Sequence, residues 1–278
     1  MTSGEQDIID AVNMSFWDEL CGSNAAKVLG VTDASPQSLK RFDDWFLGFY
    51  PYLFLHIPFE ELRGKDVLEI GLGYGTVAQR LAESGAHYAG LDIANGPVAM
   101  AKYRLQQIGR HAEISQGSVL TAPFAADSFD FIVTIGCLHH TGNMARAIAE
   151  CRRMLRPGGK LIAMVYYAYS YRRWVQARNE TLQYWLRERV GYRGVVRPLR
   201  ESEKWDYDHN SAGNAAPHTD FISIVSLRNM CAEFSTFDCQ RENINVEPPF
   251  GKWPSRRELL KTLWPRFFGL EIYFTAAN

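Results

Sequence analysis

From Lys65 onward, short apolar runs alternate with stretches of helical periodicity. Val67-Leu68-Glu69-Ile70, Ala89-Gly90-Leu91-Asp92, Phe129 to Ile135 and Leu161 to Tyr166 are bounded by Gly or Pro, and they read as strands buried on both faces of a parallel sheet. The clearest helix is predicted from about Asn143 to Arg156, where Met144, Ala147, Ile148, Cys151, Met154 and Leu155 recur at the spacing of one buried face. Pro157-Gly158-Gly159 is the expected stop, with Lys160 opening the next strand. Strand–helix–strand units of this length imply right-handed crossovers and a doubly wound α/β sheet. In such sheets the ligand lies at the carboxyl ends of the strands, where the winding reverses.

Two kinds of segment break the alternation. Residues 1–63 are rich in aromatics, among them Phe16, Trp17, Phe42, Trp45, Phe49 and Tyr50, and are expected to form a helical N-terminal cap covering the core. Residues 64–278 then form the main domain, with insertions at 168–218 and 245–268. The first insertion is predicted to hold an amphipathic helix (Tyr171, Trp174, Val175, Leu182, Trp185, Leu186) and a Gly/Arg-rich loop. The turn-rich stretches Tyr207-Asp208-His209-Asn210 and Ala216-Pro217-His218-Thr219-Asp220 follow and read as a lid, with Thr219 or Asp220 capping a helix that starts near Asp220. Phe234 to Ile244 and Leu270 to Thr275 alternate as strands on either side of the Pro- and Trp-rich second insertion.

Composition narrows the partners. A net charge of −1 over 278 residues provides no basic field for coating DNA. One segment departs from this balance: Ser170 to Lys204 holds nine Arg or Lys against four Glu, a net of +5, which fits either a solvated face or recognition of an acidic substrate or partner. The apolar runs fall short of the roughly 18–20 residues a membrane helix needs, and Met1 to Asp10 is polar and acidic, so neither a membrane association nor a secretory signal is expected. The expected location is the cytoplasm. Five cysteines with no C-x-x-C pair fit reduced thiols packed as small core residues, with no metal framework.

The chemistry centres on Glu69-Ile70-Gly71-Leu72-Gly73-Tyr74-Gly75, at the junction of a strand and a helix. Glycines there let the backbone turn tightly and approach a ligand closely. Asp92, 21 residues after Gly71, ends the next strand, where a carboxylate can accept hydrogen bonds from ribose hydroxyls. A dinucleotide site has G-x-G-x-x-G; here the glycines run G-x-G-x-G, and Glu69 would place negative charge near a pyrophosphate. The acid suits an adenosine cofactor with a cationic end.

In these residues the chain resembles the class I S-adenosylmethionine-dependent methyltransferases, specifically the small-molecule group that includes the ubiquinone-type enzymes. The resemblance runs in order through Val67 to Gly75, Gly90-Leu91-Asp92-Ile93, Gln116-Gly117-Ser118-Val119 with Ala122-Pro123-Phe124, Ser128 to Val133 with Leu138-His139-His140, and Leu155 to Lys160. It implies a mostly parallel seven-stranded sheet of the Rossmann-like methyltransferase fold, ending in an antiparallel pair, with S-adenosylmethionine as cofactor. By resemblance Glu69, Gly71, Leu72, Gly73 and Gly75 would line the methionine part, Asp92 would hold the ribose, and Ile93 would pack on the adenine. Ser118 and Val119 would border the adenine edge, and the backbone of Ile135 and Gly136 would face the amino group.

For the acceptor side, His139 and His140 sit just after the fourth strand and are the candidate general bases, positioning a loop or contacting cofactor being the plainer role. Tyr166, Tyr167 and Tyr169 leave the fifth strand and, unless they are core, would floor the acceptor pocket, with His209 and His218 on the lid. The expected function is in-line methyl transfer to a small-molecule acceptor, because no separate recognition domain is present. Thr134-Ile135-Gly136-Cys137 also replaces the Asn/Asp-Pro-Pro-aromatic turn of nucleic-acid amino methyltransferases. RNA or protein methylation, a non-catalytic cofactor-binding scaffold and a nicotinamide oxidoreductase are the alternatives.

Overall fold

The computed structural model describes residues 3–278; Met1 and Thr2 of the cap region lie outside it. Seven strands form one sheet: β1 (Asp66–Ile70), β2 (His87–Asp92), β3 (Glu113–Gln116), β4 (Phe129–Ile135), β5 (Leu155–Tyr166), β6 (Thr236–Glu242) and β7 (Glu271–Ala277), in the order β3-β2-β1-β4-β5-β7-β6. The first five run parallel to one another, and only β7 is reversed, pairing antiparallel with β5 and β6. The chain winds outward from β1 to β3, then returns to lay β4 on the other side of β1. The crevice above β1 and β4 is therefore the place for a ligand. Among the described residues no helix is long and apolar enough to cross a membrane.

Among the described residues thirteen α-helices flank the sheet: α1 (Ser3–Trp17), α2 (Ser23–Val28), α3 (Pro36–Phe49), α4 (Leu53–His56), α5 (Thr76–Glu83), α6 (Asn95–Gln107), α7 (Met144–Met154), α8 (Tyr171–Gln176), α9 (Arg178–Arg189), α10 (Glu201–Trp205), α11 (Ile224–Met230), α12 (Arg256–Leu260) and α13 (Trp264–Phe268). Successive strand residues point to opposite faces, so Val67 and Val133 pack with Ala78 and Leu81 of α5, while Leu68 and Ile132 pack with Ile148 and Cys151 of α7. The continuous apolar runs of β1 and β4 follow from burial on both sides.

The N-terminal helices are pinned to the sheet layer by a buried ion pair. Arg104 of α6, its side chain wholly buried, donates from Nη1 and Nη2 to Asp43 of α3 at 2.8 and 2.9 Å, and the Thr76 hydroxyl donates to the same carboxylate at 2.6 Å. Gly75 lies against the Arg104 side chain with φ +73°, and a Cβ there would come within 2.9 Å of Arg104 Cδ. The third glycine of the turn thus makes room for a structural arginine.

Several sequence expectations are corrected. Helix α7 stops at Met154, and Leu155 to Pro157 already belong to β5, because Leu155 is extended and pairs with Phe129 across an irregularity in the β4–β5 register. The predicted amphipathic helix is two short ones, with Val175, Leu182, Trp185 and Leu186 exposed while Thr181 and Tyr184 are buried. Neither Thr219 nor Asp220 caps a helix. Ser223 does, accepting from Ser226 N ahead of Ile224–Met230, and Thr219 and Asp220 are buried upstream. Much of the +5 segment is neutralised in place: Arg172 pairs with Glu247, Arg173 and Arg200 with Glu203, Arg197 with Asp220 and Lys204 with Glu201. Of the five cysteines, Cys151 and Cys231 are buried as expected, whereas Cys21 and Cys137 face the main cavity.

Candidate active site

A cavity of about 450 Å³ opens above the carboxyl ends of β1, β2 and β4, within the range of small-molecule sites. Glu69, Gly71, Leu72, Gly73, Asp92, Ile93, Ser118, Val119, Ile135 and Gly136 all lie on its wall. Gly75 does not, since it faces Arg104. At Gly71 the backbone has φ +83°, and a Cβ would sit 2.6 Å from Cys137 Cβ, so only glycine lets the β1 turn and the loop after β4 approach so closely.

Asp92 closes β2 and organises the turn. Its Oδ2 accepts from Leu72 N at 2.7 Å and its Oδ1 from Ala94 N at 2.9 Å. A carboxylate offers about four lone-pair positions, so two remain for ligand hydroxyls. Burial pushes its pKa up to about 6, opposed by those backbone N–H groups. Glu69 is buried more severely and pushed up to about 8; Tyr88 donates to it at 2.7 Å, while Asp92 adds like charge. Neither acid has a Lys or Arg partner among the described residues. Two desolvated acids facing one crevice fit a ligand that brings hydroxyls and a positive charge, and S-adenosylmethionine has both.

The opposite wall comes from distant parts of the chain. Phe16, Trp17, Cys21, Trp45, Phe49 and Tyr50 arrive from the N-terminal helices, and Tyr207, Asp208, His209 and Asn210 from the segment after α10. The N-terminal arm is fastened over the cavity at both ends. Gln6 Nε2 donates to Thr141 O at 2.8 Å and Asn13 Nδ2 to His140 O at 2.7 Å. Gly96 N donates to Asp18 Oδ1 at 2.7 Å, and Ser211 N to Glu19 Oε1 at 2.8 Å. Asn24 meets His209 Nε2 at 3.0 Å, which joins the arm to the 207–210 segment.

The two candidate histidines separate. His140 is on the cavity wall; His139 is fully buried behind it, its ring centroid 3.9 Å from that of Tyr166. Burial, with His140 and His218 nearby, holds the His139 pKa well below the usual histidine range, so it stays neutral. The His140 Nδ1–H donates to the His218 carbonyl at 2.6 Å. A carbonyl only accepts, so Nδ1 carries a proton, and in the neutral tautomer Nε2 presents a lone pair. Nε2 faces Asp208 Oδ2 at 3.4 Å, and that oxygen accepts from the Tyr166 hydroxyl at 2.6 Å. Ligand atoms of His139, His140 and Asp208 lie within 4.8 Å of one another.

Other expected positions fall elsewhere. Tyr167 is buried in the α7-side core with its hydroxyl accepting from Arg241, and Tyr169 donates to Glu188 at 3.0 Å; neither lines the cavity. They follow Tyr166 into the structure after β5, where the chain turns away from the crevice. His218 acts through its backbone carbonyl, while its ring meets buried Asp220 at 3.1 Å. His209 does reach the wall, stacked on Trp205 with centroids 4.0 Å apart. The sequence places Asp208 in the lid stretch without marking it as a site residue, and Trp45, Phe49 and Tyr50 in a cap covering the core, whereas all four line the cavity. Burial pushes both cavity thiols, Cys21 and Cys137, up to about 12, so neither is a nucleophile near neutrality.

This sheet order, with its single reversed strand and a glycine turn beside an acid-ended β2, is similar to that of the class I S-adenosylmethionine-dependent methyltransferases. Residues 68–163 match the family model described as a methyltransferase domain. A ubiquinone biosynthesis O-methyltransferase of Nitrosococcus oceani is 34% identical over 101 residues, 36% of this chain and 43% of that protein, so the match spans less than half of the relative. The enzyme of the same name from Pasteurella multocida is 27% identical over 202 residues, 69% of this chain and 74% of that one. Among solved structures, the YcgJ protein of Bacillus subtilis superposes with a TM-score of 0.56 at 19% identity, covering 82% of this chain and 98% of that one, which establishes the shared fold.

Proposed function

We propose that the protein is an enzyme that transfers the methyl group of S-adenosylmethionine to a nucleophilic atom of a small-molecule acceptor. The observation that carries this reading is that one cavity joins the Gly71–Asp92 crevice to the His140–Asp208 pair. When bound, S-adenosylmethionine supplies a methyl group on a positively charged sulfur. Asp92 keeps two lone-pair positions for ribose hydroxyls, the backbone around Gly71 and Gly73 borders the methionine part, and Ser118 and Val119 edge the adenine. Glu69 offsets the positive end. The fastened N-terminal arm and the 207–210 segment exclude water, so alignment in a dry site supplies much of the rate, up to about 7–11 kcal/mol in favourable cases. His140 Nε2 takes the proton that the acceptor must lose, steadied by Asp208 and, through it, by Tyr166. His139 holds the ring of its neighbour and is a positioning residue. The five unpaired cysteines support a reducing, cytoplasmic setting.

Calorimetry on the full chain tests the cofactor half. S-adenosylhomocysteine should bind and NAD should not; tight NAD binding with no response to the adenosyl compound would overturn the proposal. Release of labelled methyl into acceptors tests the transfer itself.

A further inference from the structure

The charge on the cavity wall is one-sided. Among the described residues it carries five acidic side chains, Asp10, Glu19, Glu69, Asp92 and Asp208, of which Glu69 keeps its proton near neutral pH, and no Lys or Arg. Glu69 and Asp92 stand at the glycine turn. On the other side Asp10 accepts from Gln6 and Glu19 from Ser211, each already satisfied within the N-terminal arm and lid. Asp208 Oδ2 accepts from the Tyr166 hydroxyl and lies 3.4 Å from His140 Nε2, so with His140 in its neutral tautomer two acceptor atoms stand side by side. None of the basic segment lines the cavity, and Arg173 is buried against Glu203 and Arg172 against Glu247. Arg256 comes near, but on the far side of Phe49, 3.8 Å from that ring's centroid and bonded to Phe49 O.

Resting on the methyltransferase reading, we infer that the acceptor is an amine that enters in its protonated, cationic form and is held between Asp208 and His140. Two acceptor atoms this close need two donors from one ligand atom. An ammonium nitrogen has two or three N–H groups, a hydroxyl one and a carboxylate or phosphate none. The aromatic side chains Trp45 and Tyr50 also line the wall, and aromatic rings attract a cation and not an anion. Methylation replaces one N–H by one N–CH3, so one proton leaves for each turnover. The N–H directed at His140 Nε2 is that proton, passing to the ring and leaving the nitrogen lone pair free, while the N–H on Asp208 keeps the nitrogen aimed. The family match covers residues 68–163, which hold His140 but neither Asp208 nor Tyr50.

The test uses the full chain saturated with S-adenosylhomocysteine and three probes that differ only at the terminal group: phenethylamine, 2-phenylethanol and phenylacetate, titrated near neutral pH. Phenethylamine is expected to bind at least tenfold more tightly than the alcohol, with phenylacetate weakest, and Asp208→Asn to erase the preference for the amine. Any ranking in which the amine is not first, including no binding by all three, overturns the inference. Failure to bind S-adenosylhomocysteine in the first place would instead sink the methyltransferase reading, so the two failures are distinguishable.

Discussion

The two halves of the cavity are built in opposite ways. The half around Gly71 and Asp92 comes from four short stretches at the strand ends, where the backbone itself dictates the residue: glycine for the close approach to Cys137, an acid where β2 stops and two N–H groups converge. The half around His140 and Asp208 is assembled from the N-terminal helices, the loop after β4 and the 207–210 segment, which meet only through the tertiary fold. A half fixed by local backbone geometry tolerates little change and recurs across a fold. One assembled from distant side chains can be rebuilt for a new acceptor while the cofactor crevice stays as it is.

The comparison breaks most severely if the two halves are uncoupled. Arg104→Ala leaves Asp43 partly buried without its cation and should cost about 3–5 kcal/mol of stability in denaturant unfolding, loosening the α3 aromatics from the sheet. The double variant Arg104→Met with Asp43→Asn should cost less than the single one, because no charge is then stranded.

Within the acceptor half, His140→Ala should lower kcat by about 10²–10⁴-fold with S-adenosylhomocysteine affinity barely changed, the mark of a lost proton acceptor. An equal fall in cofactor affinity would move His140 to the other half. Asp92→Ala should do the reverse, weakening S-adenosylhomocysteine binding by about 1–3 kcal/mol by calorimetry.

The glycine-turn half also has a pH signature. In the folded, ligand-free chain Glu69 keeps its proton up to about pH 8, against 4.5 for an ordinary glutamate, because burial disfavours its charge. The folded form then binds more protons than the unfolded one across that window, so this contribution is full below pH 4.5 and is lost as pH rises through 8. The melting temperature should therefore fall from mildly acidic to mildly basic pH, and Glu69→Gln should remove the part of the slope above about pH 7, while Asp92 and Glu271, also raised by burial, keep a slope below it. The smallest effect is expected at Tyr167→Phe, which removes a hydroxyl bonded to Arg241 outside the cavity and should leave kcat and cofactor affinity alone.

The periodicities of residues 64–167 anticipated β1, β2, β4, β5 and α7 closely, since a strand buried on both faces has to be continuously apolar and a helix on a sheet has to be apolar on one side. The short edge strand β3 has no such run and escaped the strand reading, although its end was seen in Gln116 to Val119. The first insertion misled for a related reason: Leu182, Trp185 and Leu186 have the spacing of a buried face, yet the helix lies with that face to solvent and buries Thr181 and Tyr184 against the lid.

The sequence alone determined the sheet, the glycine turn and the acid that closes the second strand, because each is required by backbone geometry or by burial within a few consecutive residues. Tertiary structure decided which aromatics are core and which face the cavity. It put His140 rather than His139 on the wall, set Asp208 opposite it, and turned Tyr167 and Tyr169 away. Those outcomes depend on how segments from about twenty to more than a hundred residues apart pack together, and that is not encoded in the local spacing of any one of them.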